Sequence, residues 1–394
     1  MRQLSSFKVS STYPPVGIIG ASAAGLYAAC LLAKGGVPVY LFDEREQWGP
    51  PSRTLIVTPH IQDVLGCIPS EAIVNRTSEL QLFSPQRSAT IRLSQPDWIV
   101  EREKLIQMLA RQARAAGAEL LPGYRFLGLE PVHGGLVVRL ESSRGRIEHL
   151  RTRVLIGADG VFSGVAGAVQ RDHHPTVSIL QAQVVLPPGT RADTTQVWFE
   201  PPSTRYFYWL MPEARDHAAV GLIADDECQA REGLQRFLSI HDLEPLGYQG
   251  AQVPLYSGNG RPWRKISGAQ VFLVGDAAAQ VKVTTVGGVV TGLRGARAAA
   301  QAILQGSNDS RELGALQREL DLHRLVRSVL NRFAPSDYDQ LLGLVNARTQ
   351  RVLGAHTRDE ICRVLLPLLL VQPRLLLLAA GRFLFRSAES CQRT

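Results

Sequence analysis

The sequence of 394 residues has few of the features that define disulfide-rich, metal-binding or secreted proteins. Its five cysteines (Cys30, Cys67, Cys228, Cys362 and Cys391) are an odd number without C-x-x-C spacing or a Cys/His pattern. This argues against a disulfide framework and against a zinc site. Residues 1–15 lack the apolar core of a signal peptide. We therefore expect a cytoplasmic protein without a bound metal.

Long uninterrupted apolar runs are also missing. Residues 361–385 are rich in leucine, but arginines and prolines interrupt them before they reach the roughly 20 apolar residues of a membrane-spanning helix. The segment predicts either a helix pair packed on the rest of the chain or a surface segment that lies in the membrane interface.

The charge is unbalanced: 43 Lys and Arg against 35 Asp and Glu, a net charge of +8. A positive excess favours nucleic acid or anionic lipid as a partner. Because the arginines are dispersed and no nucleic-acid motif is present, we expect no nucleic-acid partner and a peripheral contact with the inner membrane surface. A solvated, arginine-rich surface without a partner is the alternative.

A strand–turn–helix pattern lies late in the chain, at residues 271–300. Residues 271–274 predict a buried parallel strand, Asp276 follows it, and an alanine-rich helix begins after Gly287-Gly288. Paired glycines at a helix start let backbone N–H groups approach an anionic ligand. Asp276 would accept hydrogen bonds from ligand hydroxyls. An ordinary strand–helix crossover is the alternative.

The N-terminal part predicts a dinucleotide-binding unit. An apolar run at residues 16–19 leads into GASAAG, from Gly20 to Gly25, then a helix and a second strand that ends at Asp43. This order is typical of a βαβ unit whose acid binds the adenosine ribose. Ser22 occupies the place of the second glycine, and its small side chain still permits pyrophosphate approach.

A third motif joins these two halves. Residues 154–156 form an apolar strand that runs into GADGVFS. The three motifs bracket a long insertion and predict an α/β fold: a discontinuous Rossmann-type FAD-binding domain, an antiparallel β-sheet substrate domain and a C-terminal helical segment. We expect the FAD-binding domain at 11–165 and 266–305, with inserted strands near 75–100, the substrate domain at 166–265 and the helical region at 306–394.

Local patterns predict individual elements. An amphipathic helix spans residues 101–116. Residues 70–99 predict short strands broken by Pro85 and Pro96, and residues 120–130 predict a strand. Alternating apolar residues predict strands of the substrate domain at 178–186, 196–199, 205–211 and 218–223.

At these motifs the chain resembles the geranylgeranyl reductase family, within the p-hydroxybenzoate hydroxylase-like flavoprotein monooxygenase superfamily. The resemblance rests on GASAAG, GADGVFS and GDAAAQVKVTTVGG, and on FYWLMP at residues 207–212, which is similar to the Y-x-W-x-F-P signature of these reductases. It implies FAD as cofactor and reduction of C=C bonds in an isoprenoid chain on a lipid, quinone or pigment precursor. NAD(P)H or ferredoxin would supply the electrons.

The resemblance also implies where the ligands bind. Tyr206, Tyr208 and Trp209 would line an apolar slot for the substrate, although strand aromatics can equally fill a core. No residue is identified as catalytic. The implied cofactor positions are Gly20, Ala24 and Gly25 at the pyrophosphate, Asp43 at the ribose, Arg102 near the pyrophosphate, Phe126 beside adenine, Asp276 near the ribityl chain or pyrophosphate, and Gly288 with Val289 under the flavin ring.

Some residues depart from the family pattern. These reductases often have a cysteine near the flavin in the loop after the ribose-binding acid, whereas this chain has Pro-Ser-Arg-Thr at residues 51–54. Val283 and Val286 replace a proline and a glycine. The cluster Asp172-His173-His174 precedes a proline and is typical of a solvated loop.

Two other functions remain open. One is an FAD-dependent aromatic or polyketide hydroxylase, which would use the flavin with oxygen. The other is a redox-inert FAD-binding protein that binds lipid or a partner through its C-terminal helices.

Overall fold

The computed structural model describes residues 14–49, 53–171, 174–258 and 260–381. Pro51-Ser52, Asp172-His173 and Cys391, which figure in the sequence predictions, lie outside these ranges. In chain order the strands are β1 (Val16–Ile19), β2 (Val39–Asp43), β3 (Thr54–Val57), β4 (Ile73–Phe83), β5 (Ser88–Glu101), β6 (Glu119–Pro122), β7 (Tyr124–Val132), β8 (Gly135–Ser142), β9 (Ile147–Thr152), β10 (Val154–Gly157), β11 (Thr176–Val185), β12 (Thr194–Trp198), β13 (Tyr208–Pro212), β14 (His217–Ala224), β15 (Pro245–Pro254), β16 (Trp263–Ile266) and β17 (Ala269–Leu273). The α-helices are α1 (Ala23–Lys34), α2 (His60–Leu65), α3 (Arg102–Ala115), α4 (Gly164–Ala168), α5 (Glu227–Ile240), α6 (Val289–Leu304), α7 (Arg311–Leu330), α8 (Pro335–Gly343), α9 (Ala347–Ala355) and α10 (Ile361–Val371), followed by a helical segment at Arg374–Gly381.

The first sheet unites the three predicted motifs. Its order is β16-β17-β10-β1-β2-β6, and β1 pairs in parallel with both β2 and β10. β10 pairs in parallel with β17. Because the carboxyl ends of parallel strands meet at one edge, turns from the beginning, middle and late part of the chain come together there. The predicted α/β fold with a discontinuous Rossmann-type domain is confirmed.

Small residues let the helices of this layer pack closely on its turns. A Cβ at Gly25, in α1, would overlap the carbonyl oxygen of Gly20 and lie 2.9 Å from the Cβ of Ala158. A Cβ at Gly292, in α6, would lie 3.2 Å from the Cα of Gly275. The other face of the sheet is covered by the small sheet β7-β8-β9, through buried residues such as Leu136 and Leu140. Both faces are therefore buried, as expected for parallel strands.

The second sheet is larger than predicted and is mixed. The strand order of this sheet is β15-β11-β14-β13-β12-β4-β5-β3. β12 pairs in parallel with β4, and every other pair of neighbouring strands in the sheet is antiparallel. The strands of the predicted substrate domain, β11 to β15, pair with one another only in the antiparallel sense, so the predicted antiparallel sheet is confirmed. The parallel pair joins β12 to β4, which lies outside residues 166–265. β3, β4 and β5, which precede the predicted substrate domain in sequence, extend the same sheet.

Two strand predictions were wrong in detail. Residues 70–99 do not form short strands broken at each proline, since β4 and β5 form one long hairpin with Pro85 in its turn. Pro96 lies inside β5 beside a shift in register, where a missing N–H donor is tolerated. The strand predicted at 120–130 divides at Gly123, whose φ of 75° turns the chain from β6 into β7.

The C-terminal part is helical, as predicted. Within the described residues no single helix is long and apolar enough to cross a membrane, but α10 and Arg374–Gly381 meet that test together, with a bend of 104° between them. The side chains of Leu366 and Leu370 in α10 and Leu377 in the following segment are 65%, 72% and 72% exposed. We call residues 361–381 the C-terminal hairpin.

Candidate functional site

A cavity of about 1220 Å³ lies between the turns of the first sheet and one face of the second. One end, which we call the cofactor end, is lined by the turns after β1, β2, β10 and β17. The other, the substrate end, is lined by side chains of β4, β5 and β11–β14 and by residues 353–360. The cavity thus joins a polar turn region to a largely apolar wall.

The turn after β1 is held by its own short-range hydrogen bonds. Gly20 has a φ of 104°, which favours glycine. Ser22, the departure from the glycine fingerprint, is the N-cap of α1 and its Oγ accepts from the Gly25 N–H at 3.2 Å. The Ala21 N–H donates to Asp43 Oδ2 at 2.6 Å. The carboxylate of Asp43 is therefore fixed at the edge of this turn.

Asp276 lines the cofactor end together with two arginines, Arg53 and Arg102. It follows β17 in a short 3₁₀ turn (Gly275–Ala278). Burial raises the pKa of Asp276, while the positive charges of Arg102 and Arg53 lower it. Burial lowers the pKa of both arginines, and the neighbouring charge of Arg102 helps to bring the pKa of Arg53 to about 10. Two guanidinium groups and one carboxylate thus face the same enclosed space.

Arg53 is a site residue that sequence reasoning missed. It stands in the stretch singled out only for its missing cysteine, and its backbone oxygen accepts from the Arg102 N–H at 2.9 Å. Its Nε is buried and has no hydrogen-bond partner among residues 14–49, 53–171, 174–258 and 260–381. A buried donor without a partner is costly, so this nitrogen is suited to an acceptor atom of a ligand.

The start of α6 completes the cofactor end. Gly288 is its N-cap and offers no side-chain cap, so the first N–H groups of the helix remain available beside the cavity. A Cβ at Gly288 would lie 3.3 Å from Asp276 Oδ1 and 3.0 Å from Val281 Cγ2. Val289 also lines the cavity. The glycine therefore lets Asp276 and Val281 pack closely against the start of α6.

The structure brings together most of the residues predicted to bind the cofactor. Gly25 is an exception, because it is buried under the turn and supports Gly20. Phe126 lies next to Gly164, where a Cβ would be 3.2 Å from its ring. The predicted cofactor residues that line the cavity are Gly20, Ala24, Asp43, Arg102, Phe126, Asp276, Gly288 and Val289.

Of the three predicted substrate residues, Trp209 lines the cavity, whereas Tyr206 and Tyr208 are not among the lining residues. Tyr208 points to the opposite face of β13, where its hydroxyl bonds to Ser203 and its ring stacks on Phe237 of α5 at 4.6 Å. Tyr206 packs against the guanidinium of Arg327, 4.7 Å from its ring centroid. Neighbouring residues of a strand face opposite sides, so one face of β13 lines the cavity and the other face packs in the core.

An aromatic wall continues from Trp209 along the substrate end. Ring centroids are 6.2 Å apart for Trp209 and Phe207, 6.3 Å for Phe207 and Phe199, and 4.7 Å for the stacked pair Phe199 and Tyr338. These four residues line the cavity and define the aromatic wall. The two-residue alternation of the strand predicted at 205–211 could have indicated Phe207, but Tyr338 comes from α8 and only the tertiary structure places it there.

Two buried ion pairs interrupt this apolar end. Lys282 pairs with Asp359, with side chains 7% and 1% exposed, and Arg358 pairs with Asp97. Burial raises the pKa of Asp97. Burial acts in the same direction on Asp359, but Lys282 and a hydrogen bond from Thr58 hold the pKa of that carboxyl below its usual value. Sequence reasoning assigned none of these charged residues a role.

The sequence pattern of the family described as "FAD binding domain" matches residues 13–318. The chain is 26% identical over 352 residues to digeranylgeranylglycerophospholipid reductase 1 of Methanothermobacter thermautotrophicus, covering 82% of this chain and 88% of that protein. It is 24% identical over 339 residues to geranylgeranyl diphosphate reductase of Synechocystis, covering 81% of each.

Solved structures share the fold. A geranylgeranyl bacteriochlorophyll reductase-like protein of Thermoplasma acidophilum superimposes with a TM-score of 0.75 at 19% identity, covering 90% of this chain and 95% of its own. PqsL of Pseudomonas aeruginosa gives a TM-score of 0.64 at 19% identity, covering 84% and 99%.

These similarities define the class: the chain is an FAD-dependent oxidoreductase. It belongs to the FAD binding domain family, and the resemblance to geranylgeranyl reductases predicted from its motifs is confirmed. Its cofactor end fits this class, because Gly20, Gly287 and Gly288 line the cavity and Arg53 Nε has no hydrogen-bond partner among the described residues.

Proposed function

We propose that this protein uses FAD to reduce C=C bonds of an isoprenoid chain carried by a lipid, a quinone or a pigment precursor. The observation that carries this proposal is the continuity of one cavity from the dinucleotide-type turns to the aromatic wall. The relatives named as reductases of geranylgeranyl compounds support the substrate class.

At the cofactor end, protein groups would hold FAD by position and charge. Asp43 would accept from the ribose, Arg102 and Arg53 would bind the pyrophosphate by charge-assisted hydrogen bonds, and Asp276 would accept from ribityl hydroxyls. Gly288 and Val289 would lie under the ring. When bound, FAD supplies the hydride, so the protein has to position the substrate and manage a proton.

At the substrate end, the lining suits a long branched hydrocarbon. Leu80, Leu82, Ile91 and Val197 line the cavity together with the aromatic wall. Burial of apolar surface contributes roughly 25 cal/mol per Å², so a chain that fills this end gains affinity without polar contacts. A phenolic substrate of a hydroxylase needs less apolar surface than this wall provides.

The direct test is saturation of isoprenoid substrates by the purified protein under anaerobic conditions, with FAD reduced beforehand. We expect a mass gain of one H₂ per double bond for geranylgeranyl lipids, quinones or pigment precursors. If the mass stays unchanged across such a panel, the substrate class is wrong. Hydroxylation of an aromatic compound with oxygen would instead support the hydroxylase, and bound FAD without turnover would support a redox-inert protein.

The electron donor is either NAD(P)H or ferredoxin. Anaerobic mixing of the FAD-loaded protein with NADH, NADPH or reduced ferredoxin separates these donors, because only the physiological one bleaches the flavin absorbance rapidly.

We also propose that the C-terminal hairpin contacts a membrane surface that contains anionic lipid. Its exposed leucines directly follow residues 353–360, which line the substrate end, and Arg363 and Arg374 lie on the same segment. An apolar surface flanked by basic residues is typical of interfacial helices. Replacing Leu366, Leu370 and Leu377 by serine should reduce co-sedimentation with anionic vesicles. Unchanged co-sedimentation would contradict the contact.

A further inference from the structure

We propose that Lys282, paired with Asp359, donates the proton that accompanies hydride transfer to the alkene. This inference rests on the proposed reductase function and assigns the group that neither the sequence nor the comparisons identify. It starts from an unusual feature of the cavity: a buried ammonium group on the wall of a site that otherwise suits a hydrocarbon.

The backbone positions Lys282 beside the start of α6. Its N–H donates to the Gly287 carbonyl at 3.2 Å, and its own carbonyl accepts from the Val286 N–H at 2.7 Å. The side chain follows the same tight turn, because a Cβ at Gly287 would lie 3.5 Å from Lys282 Nζ. Gly287 immediately precedes Gly288 and Val289, the residues proposed to lie under the flavin ring.

Other groups at the substrate end can carry a proton, but they are placed differently. Asp97 lies on β5 and is paired with Arg358, a permanent cation. Tyr338 lies on α8. It is the last ring of the aromatic wall, separated from Trp209 by Phe207 and Phe199. Lys282 alone among these three belongs to the turn that links Asp276 to α6.

Asp359 and His323 give Lys282 a defined environment. The Asp359 carboxylate pairs with Lys282 Nζ, and Thr58 donates to the other carboxylate oxygen. His323 Nδ1 lies 2.6 Å from the hydroxyl of Thr284, two residues along the turn. Burial, together with the charge of Lys282, lowers the pKa of His323 to about 3. The imidazole is therefore neutral at ordinary pH and does not compete with Lys282 for Asp359.

The step balances with reduced FAD as the two-electron donor. One alkene carbon gains the hydride from reduced FAD and the other gains a proton from Lys282 Nζ, so one N–H bond breaks on each donor and two C–H bonds form. The C=C bond becomes a single bond, and Lys282 is left as a neutral amine. It regains a proton from solvent before the next reduction.

The experiment is a single turnover without oxygen. FAD bound to the protein is reduced photochemically, a geranylgeranyl phospholipid is added, and the return of flavin absorbance is followed. A positioned general acid contributes about 100-fold or more, so Lys282→Met should slow reoxidation by the lipid by about that factor. Reoxidation by oxygen should stay unchanged. Lys265→Met, in exposed β16, is the matched control and should behave as the wild type.

Lys282→Arg separates proton donation from a structural role. Arginine keeps the charge opposite Asp359 but does not release its proton. We expect it to be as slow as the methionine variant, and a restored rate would assign Lys282 to the ion pair alone. If Lys282→Met does not retain FAD, Lys282→Gln is used in its place. The proposal is overturned if the lipid reoxidises the flavin of either FAD-loaded variant as fast as that of the wild type.

The same measurement keeps the two proposals apart. If no isoprenoid compound reoxidises the wild-type flavin, the reductase function is wrong whatever Lys282 does. If the lipid reoxidises the wild type and Lys282→Met equally fast, only the role of Lys282 is wrong.

Discussion

The two ends of the cavity are built in different ways. The cofactor end consists mainly of backbone turns, each encoded by a few consecutive residues such as Gly20–Gly25 or Gly287-Gly288. The substrate end consists of side chains from distant parts of the chain, which meet only when the second sheet and the C-terminal helices pack together. A turn leaves a readable motif in the sequence, whereas a wall assembled from distant side chains does not.

The largest effect should come from the cofactor end. Asp276→Ala removes an acceptor for ligand hydroxyls and leaves the charges of Arg53 and Arg102 uncompensated. The loss of charge-assisted hydrogen bonds from the ligand hydroxyls to this carboxylate costs about 3 kcal/mol, equivalent to about 100-fold in affinity. We expect the purified variant to lose its flavin absorbance. A flavin content equal to the wild type would contradict the role given to Asp276.

A substitution of Arg53 tests whether FAD binding at the cofactor end depends on side chains as well as on backbone turns. Arg53→Met keeps much of the length but removes the buried donor, which should weaken FAD binding by about 2 kcal/mol, roughly 30-fold. Titration of the apoprotein with FAD, followed by fluorescence, measures this change. Arg144→Met, at an exposed position in the turn between β8 and β9 and away from the cavity, is the control. Equal affinities in the two variants would show that the turns suffice.

Acid sensitivity should come from His323, which bonds to Thr284 in the turn between Asp276 and α6. His323 has an ordinary pKa of about 6.5 when unfolded and about 3 when folded, so between these values only the unfolded chain binds the proton. Stability from this group is complete above pH 6.5 and falls by about 1.4 kcal/mol per pH unit below it. Urea unfolding at pH 7 and pH 5 should show a smaller loss for His323→Gln than for the wild type. An identical loss would contradict a buried neutral histidine.

The smallest effect should come from the aromatic wall. Trp209→Leu retains apolar contact but loses the ring, and we expect KM for an isoprenoid substrate to rise about fivefold with FAD affinity unchanged. Tyr208→Phe, on the opposite face of β13, should leave KM unchanged. Steady-state kinetics with both variants checks the assignment of the two faces. A larger change for Tyr208→Phe would reverse it.

Much of the fold could be predicted because its signals are local. The order of strand, glycine turn and helix in the three motifs specified the parallel sheet, and the predicted helix at 101–116 corresponds to α3. Local patterns could not place β3, β4 and β5 in the second sheet, because strand pairing between distant segments depends on the packing of the whole chain. Pro96 was misleading for the same reason, since a register shift in the paired strand accommodates it.

The sequence by itself determined the cofactor class, because glycine turns and acids at strand ends act through their own backbone geometry. It also determined the apolar, aromatic character of the substrate sheet. Only the tertiary structure decided which aromatic residues face the cavity, since Trp209 and Tyr208 are neighbours in one strand but point to opposite sides. It also decided that Lys282 meets Asp359 and that Arg53 faces Asp276, because these partners are far apart in the chain and come together only when the two sheets and the C-terminal helices pack.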